Sequence, residues 1–238
     1  MSPQTRIPAW GVIAVAMFFM AGSARGEQLT KLEQRCANTL NRNGAKLARS
    51  VDGEARRCFE DAGHGKLSMS ADACMAADRK GKINKRKAKT RAGEEAKCAP
   101  PAPAFAYSEA GAANAVAESE ALAFVNDVFG TPVEPAVADC NSAPGLCSCQ
   151  QAVLKTALRI GETRLQVFRK CKQSALRENK LPFASGAVSA AELEHCVDDS
   201  LITGSIAADS KGKIARRTAK LVSVIGARLT RAFGSASP

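Results

Sequence analysis

The chain has 238 residues, a formal net charge of +11 and only 5% aromatic residues, while 45 positions are alanine. Strands draw on β-branched and aromatic side chains, so this composition argues against a large β-sandwich. It favours helix, because alanine loses no side-chain entropy there. With few large apolar side chains the core must be thin, and nine cysteines are available to reinforce it.

At the start of the chain, Arg6 precedes an apolar run from Ala9 to Ala21, and the small-residue site Ala24-Arg25-Gly26 follows. The run is shorter than the roughly 20 apolar residues a membrane-spanning helix needs. Residues 1–26 therefore read as a secretory signal peptide cleaved after Gly26. Cleavage leaves 212 residues with no expected integral membrane anchor. Loss of Arg6 and Arg25 lowers Lys+Arg from 34 to 32 against 23 acids, for a net charge of +9. All nine cysteines lie in the mature chain: Cys36, Cys58, Cys74, Cys98, Cys140, Cys147, Cys149, Cys171 and Cys196. In a secreted or periplasmic protein they read as disulfides.

Residues 27–98 read as a first helical hairpin. Leu32, Cys36, Leu40, Gly44, Leu47, Val51, Ala55 and Cys58 recur at steps of three and four, which places them on one helix face. Gly63-His64-Gly65 is the simplest turn. Cys36 to Cys58 spans about 33 Å of helix, and Cys74 to Cys98 about 36 Å if helical throughout. Antiparallel arms of such similar length put Cys36 beside Cys98 and Cys58 beside Cys74. Of the three pairings four cysteines allow, this one staples both ends.

Residues 99–148 read as a connection. Ala99-Pro100-Pro101-Ala102-Pro103 is a stiff linker. A bridging helix is expected over about 108–129, ended by Gly130, Pro132 and Pro135, and a cysteine loop over 139–149 follows. Residues 149–238 read as a second hairpin. Here Ala207–Lys220 matches Ala76–Lys89 at an offset of 131, identical at ten of fourteen positions. The 22-residue interval from Cys36 to Cys58 also recurs from Cys149 to Cys171. We read two copies of one unit. Leu154, Leu158, Leu165 and Phe168 mark one apolar face of the second copy, and Ile214, Leu221, Ile225 and Ala232 another. In each copy an Asp-x-Lys-Gly-Lys-Ile element opens a helix, with Asp78 or Asp209 available to cap it. Cys171–Cys196 follows by analogy with Cys58–Cys74. The position matching Cys98 is Leu229, so Cys140, Cys147 and Cys149 are left with one bridge and one odd thiol. Cys140 is expected to pair with Cys147 or Cys149, since a Cys147–Cys149 bridge would be strained. The odd thiol offers a route to a covalent dimer.

The signal peptide, the paired cysteine intervals and the Asp-x-Lys-Gly-Lys-Ile element resemble those of uncharacterised exported cysteine-rich helical repeat proteins of environmental, myxobacteria-like bacteria. The resemblance implies export and a helical fold, and brings no activity with it. The stapled hairpin is similar in principle to the twin-cysteine hairpins of the mitochondrial intermembrane space, which use much shorter intervals.

The strongest charge feature is the basic run Arg79, Lys80, Lys82, Lys85, Arg86, Lys87, Lys89 and Arg91. The second copy keeps Lys211, Lys213, Arg216, Arg217 and Lys220. Such a face suits nucleic acid, lipopolysaccharide or acidic polysaccharide. It equally suits plain solvation, and aromatics that would stack on bases are missing around both clusters. Catalytic patterns are weak. His64 and His195 are the only histidines. Cys147-Ser148-Cys149 lacks the redox spacing, and no Gly-x-Ser-x-Gly elbow occurs. No cofactor or metal is expected. The reading is an all-α protein of two stapled hairpins acting as a non-enzymatic structural or protein-interaction module. Polyanion binding through the two basic helices is the alternative.

Overall fold

Thr30 opens the first helix with a reciprocal cap. Its hydroxyl accepts from the Glu33 N–H at 3.3 Å, and the Glu33 carboxylate accepts from the Thr30 N–H at 2.7 Å. Helix α1 then runs Lys31–Gly63. The computed structural model describes residues 28–98, 100, 102–177 and 186–233. The expected signal peptide, together with Ala99 and Pro101 of the linker, lies outside the described residues. The further helices are α2 (Ala71–Ala76), α3 (Lys82–Lys97), α4 (Ala110–Phe129), α5 (Pro144–Ala175), α6 (Ala190–Asp198) and α7 (Lys213–Phe233), with one 3-10 turn at Glu134–Ala136. The protein is all-α, and no strand occurs among the described residues.

The return arm of the first hairpin is not helical throughout, as equal arms would require. It breaks between α2 and α3, where Asp78 and Gly81 take φ of 43° and 61°. Aspartate is among the few non-glycine residues that enter this left-handed region readily. The Asp78 carboxylate accepts from the N–H groups of Ile83 and Asn84 at 2.9 and 2.8 Å, so the break and the restart form one device. The matched segment has the same geometry: Asp209 and Gly212 take φ of 36° and 58°, and Asp209 accepts from Lys213 and Ala215 at 2.8 Å each. A second correction concerns the cysteine loop. Pro144 occupies the first turn of α5, where its missing N–H costs nothing. Cys147 and Cys149 therefore lie inside that helix.

Most of the expected α1 stripe is buried: Cys36, Leu40, Leu47, Val51, Ala55 and Cys58. Leu32 is 68% exposed, whereas Cys36 and Leu40 farther along the stripe meet Ala110 and Cys98. Helix α1 packs on α2, α3, α4 and α5. Helix α4 is more than a bridge. It packs along α1 and α3, with Glu94 of α3 accepting from the Tyr107 hydroxyl and from the first N–H of α4. Helix α5 lies antiparallel to α1. Lys172 reaches Asn41 at 3.3 Å, Glu162 pairs with Arg49 at 2.7 Å, and Cys140 donates its N–H to the Gly63 carbonyl at 2.7 Å. At that last junction a Cβ on Gly63 would lie 2.9 Å from the Cys140 sulfur. Helix α7 packs on α5.

Four disulfides staple this frame: Cys36–Cys98, Cys58–Cys74, Cys140–Cys147 and Cys171–Cys196, with Cα separations of 4.8, 5.7, 5.0 and 5.7 Å. The pairs expected from antiparallel hairpins are those present. Cys140 takes Cys147, so Cys149 is not a disulfide residue; its thiol is free and 6% exposed. The Cys36–Cys98 bridge spans 62 residues and Cys140–Cys147 only 7. Loop-closure entropy assigns them about 4 and about 2 kcal/mol respectively. Paired serine replacement should therefore lower the unfolding free energy roughly twice as much for Cys36/Cys98 as for Cys140/Cys147, read by urea denaturation of each variant.

Candidate functional site

The basic residues are placed by the Asp-x-Lys-Gly-Lys-Ile turns, which aim the first turns of α3 and α7 outward. In the turn before α3 and along it, Lys80, Lys82, Lys85 and Lys89 are exposed and Arg86 is half-buried. In the turn before α7 and along it, Lys211, Arg216, Arg217 and Lys220 are exposed and Lys213 is half-buried. Two members of the sequence run are already committed. Lys87 pairs with Glu118 of α4 at 2.6 Å. Arg79 reaches Glu54 at 3.2 Å and Asp61 at 2.9 Å, and the contact with Asp61 foremost raises its pKa. Glu54 is 2% exposed and is also held by Arg57 at 3.0 Å, so this network buries a carboxylate with both oxygens engaged.

The two basic starts are not brought together. Helix α3 packs on α1 and α4, with Ile83 at its start against Leu47 and Val51, whereas α7 packs on α5, so the two starts are carried by different helices. The histidines do not converge either. His64 caps the end of α1, and His195 pairs with Asp199 at 3.2 Å. Among the described residues no group of three metal-ligating side chains forms.

Sequence periodicity misses one feature, a cavity of about 160 Å³ between α1, α4 and α5. It exists because these helices meet through small side chains: Ala45 and Ala48 of α1, Ala113 and Ala117 of α4, and Gly161 of α5. Phe124, Leu158, Leu165 and Phe168 complete the apolar walls. Asp52 lines the cavity beside the Arg49–Glu162 pair. Burial, reinforced by the Glu162 charge and opposed by Arg49, pushes its carboxyl up to about 7. Near the Asn41 end, Lys172 is fully buried and donates to the Asn41 side chain and the Ala106 carbonyl at 3.3 and 3.4 Å. Burial lowers its pKa to about 8. A signal for the centre of this interface was present in the numbering. Arg49 and Glu162 are separated by 113 positions, as are Cys36 and Cys149, and Cys58 and Cys171.

No protein-family model, no curated protein and no solved structure matches this chain.

A carboxyl whose folded pKa is raised holds its proton more tightly in the folded state. Its contribution to stability is complete below the unfolded value of 3.8 and is lost as pH rises through about 7. Asp52→Asn is therefore expected to raise the melting temperature relative to the parent at pH 8 and to leave it nearly unchanged at pH 4, read by thermal circular dichroism at both pH values.

Proposed function

We propose that the protein is an exported, non-enzymatic interaction module whose stapled frame presents two cationic helix starts to anionic partners. Four disulfides support an oxidising, extracytoplasmic setting, and no helix among the described residues is long and apolar enough to cross a membrane. Export by cleavage after Gly26 and the kinship with exported cysteine-rich helical repeat proteins belong to the same proposal. The observation that carries it is the division of charge. Acidic residues of α1, α4 and α5 engage Arg49, Arg57, Arg79 and Lys87, while Lys82, Lys85, Lys89, Lys211, Arg217 and Lys220 have no ion pair among the described residues. A backbone cap and a nearby staple fix both exposed sets, so contact costs little ordering of the backbone.

A polyanion is the partner class this charge favours. The two sets lie on helices packed against different partners, α1 and α5, and each offers its own cationic contact. The buried Cys149 thiol does not favour the covalent dimer, because a second chain has no path to it without opening α5. We read Cys149 as the counterpart of Cys36 in a duplicated unit whose second bridge is missing.

On immobilised heparin, retention should persist at physiological ionic strength and then fall steeply with salt, as displaced counterions enter the equilibrium. The triple variant Lys82→Gln, Lys85→Gln, Lys89→Gln and the matching Arg216→Gln, Arg217→Gln, Lys220→Gln should each weaken retention. Loss of the parent's retention below physiological salt would refute the polyanion reading. The duplication reading is tested separately by Leu229→Cys. Arg228 donates to Ser148 at 2.5 Å, which sets the end of α7 against the start of α5. The new cysteine should pair with Cys149, removing the single free thiol from a titration under denaturing conditions and raising the melting temperature. Two titratable thiols instead would overturn it.

A further inference from the structure

The volume of the α1–α4–α5 cavity, about 160 Å³, is comparable with apolar cavities that stay dry and admit a benzene-sized molecule. It opens to solvent beside Arg49 and Glu162, which are 43% and 42% exposed, and its apolar floor lies between the three helices. Packing alone would close it with one larger side chain at Ala48 or Ala117.

Its polar equipment is asymmetric. At one end the Asp52 carboxyl accepts no hydrogen bond among the described residues, while its neighbours Arg49 and Glu162 satisfy one another at 2.7 Å. The charged groups that line the space with Asp52 are Arg49 from its own helix, Glu120 from α4, and Glu162 and Arg164 from α5. Three carboxylates against two guanidiniums leave a net negative lining, which favours a cation and disfavours a carboxylate. About 16 Å along α1, the Asn41 amide has a buried N–H group with no partner and its carbonyl accepts from Lys172.

We propose that this cavity binds a small apolar molecule bearing one protonated amine, its hydrocarbon body between α1, α4 and α5 and its ammonium group paired with Asp52. The site is independent of the cationic helix starts and is closer to a ligand pocket than to a contact surface. Ring-sized amines fit the volume, whereas long acyl chains do not.

The test uses benzylamine, benzyl alcohol and phenylacetate, which share a ring and differ in the head group, titrated into the full disulfide-bonded protein by calorimetry. Benzylamine is expected to bind about tenfold or more tightly than benzyl alcohol at pH 8, the gain of one charge-assisted hydrogen bond, and phenylacetate is expected not to bind. Benzylamine affinity should fall roughly tenfold as Asp52 takes up its proton between about pH 7.5 and pH 6. Asp52→Asn should bring benzylamine down to the level of benzyl alcohol without weakening benzyl alcohol itself. Ala117→Leu, which fills the space, should abolish binding of both, and an unchanged circular dichroism spectrum for that variant excludes simple unfolding. Equal binding of phenylacetate, benzylamine binding undiminished in Asp52→Asn, or no saturable binding by any of the three would overturn the proposal.

Discussion

Antiparallel contact between α1 and α5 is the constraint on which the rest of the molecule depends. Helix α1 has partners on several sides, so α2, α3, α4 and α5 are each positioned against it, and α7 is positioned through α5. The contact extends from Asn41–Lys172 through Arg49–Glu162 to the close approach of Gly63 to the Cys140–Cys147 bridge. Its core is thin. Alanines and single large residues such as Phe59, Leu154 and Phe168 fill it in small clusters, with no continuous apolar interior. Burial stabilises in proportion to apolar area, so a frame of this composition depends on covalent closure to offset the entropy of ordering the chain. Three of the four bridges fasten a long helix to its returning arm, where that closure restrains the most chain.

The two halves of the molecule resolve the same local problem differently. In the first, the turn into α3 is tied back by Arg79 to Glu54 and Asp61 of α1, and the far end is closed by Cys36–Cys98. The corresponding positions in the second half are Ser210, Val167 and Ser174, none of them charged, with Cys149 and Leu229 in place of the bridge. The three charged members are replaced together, which is the expected outcome when a buried carboxylate is intolerable without its guanidinium. What remains common is the aspartate-glycine turn. Its two carboxylate contacts to helix N–H groups need nothing from the rest of the fold.

Charge is distributed by the same logic. Carboxylates near the core are engaged by arginines and by helix starts: Asp72 accepts from the N–H groups of Val133 and Glu134, and Glu134 in turn accepts from the first N–H of α2. The surplus of lysine and arginine is left on the outer faces of α3 and α7. Asp52 is the exception, a half-buried carboxyl beside Arg49 and Glu162 that accepts no hydrogen bond among the described residues, and its raised pKa is the cost of that placement.

Features that depend on neighbours in the chain were legible in the sequence. The stripe from Cys36 to Cys58, the capping role of Asp78 and Asp209, the helix after the Pro-rich linker and the nested bridges all follow from helical period, turn chemistry and arm length. Boundaries were less exact where one residue overrides a pattern: the left-handed turn at Asp78 split the return arm, and Pro144 started α5 early. Which groups face each other across helices was not legible, because α1 and α5 can be placed side by side in many registers that bury similar stripes of alanine and leucine. Tertiary packing alone selected the register that sets Arg49 against Glu162, withdrew Arg79 and Lys87 from the basic surface, left Cys149 without a partner and opened a cavity beside Asp52. The physical reason is that local sequence fixes each helix and its caps, whereas a space between three helices is set by side chains too small to fill it, contributed from positions more than a hundred residues apart.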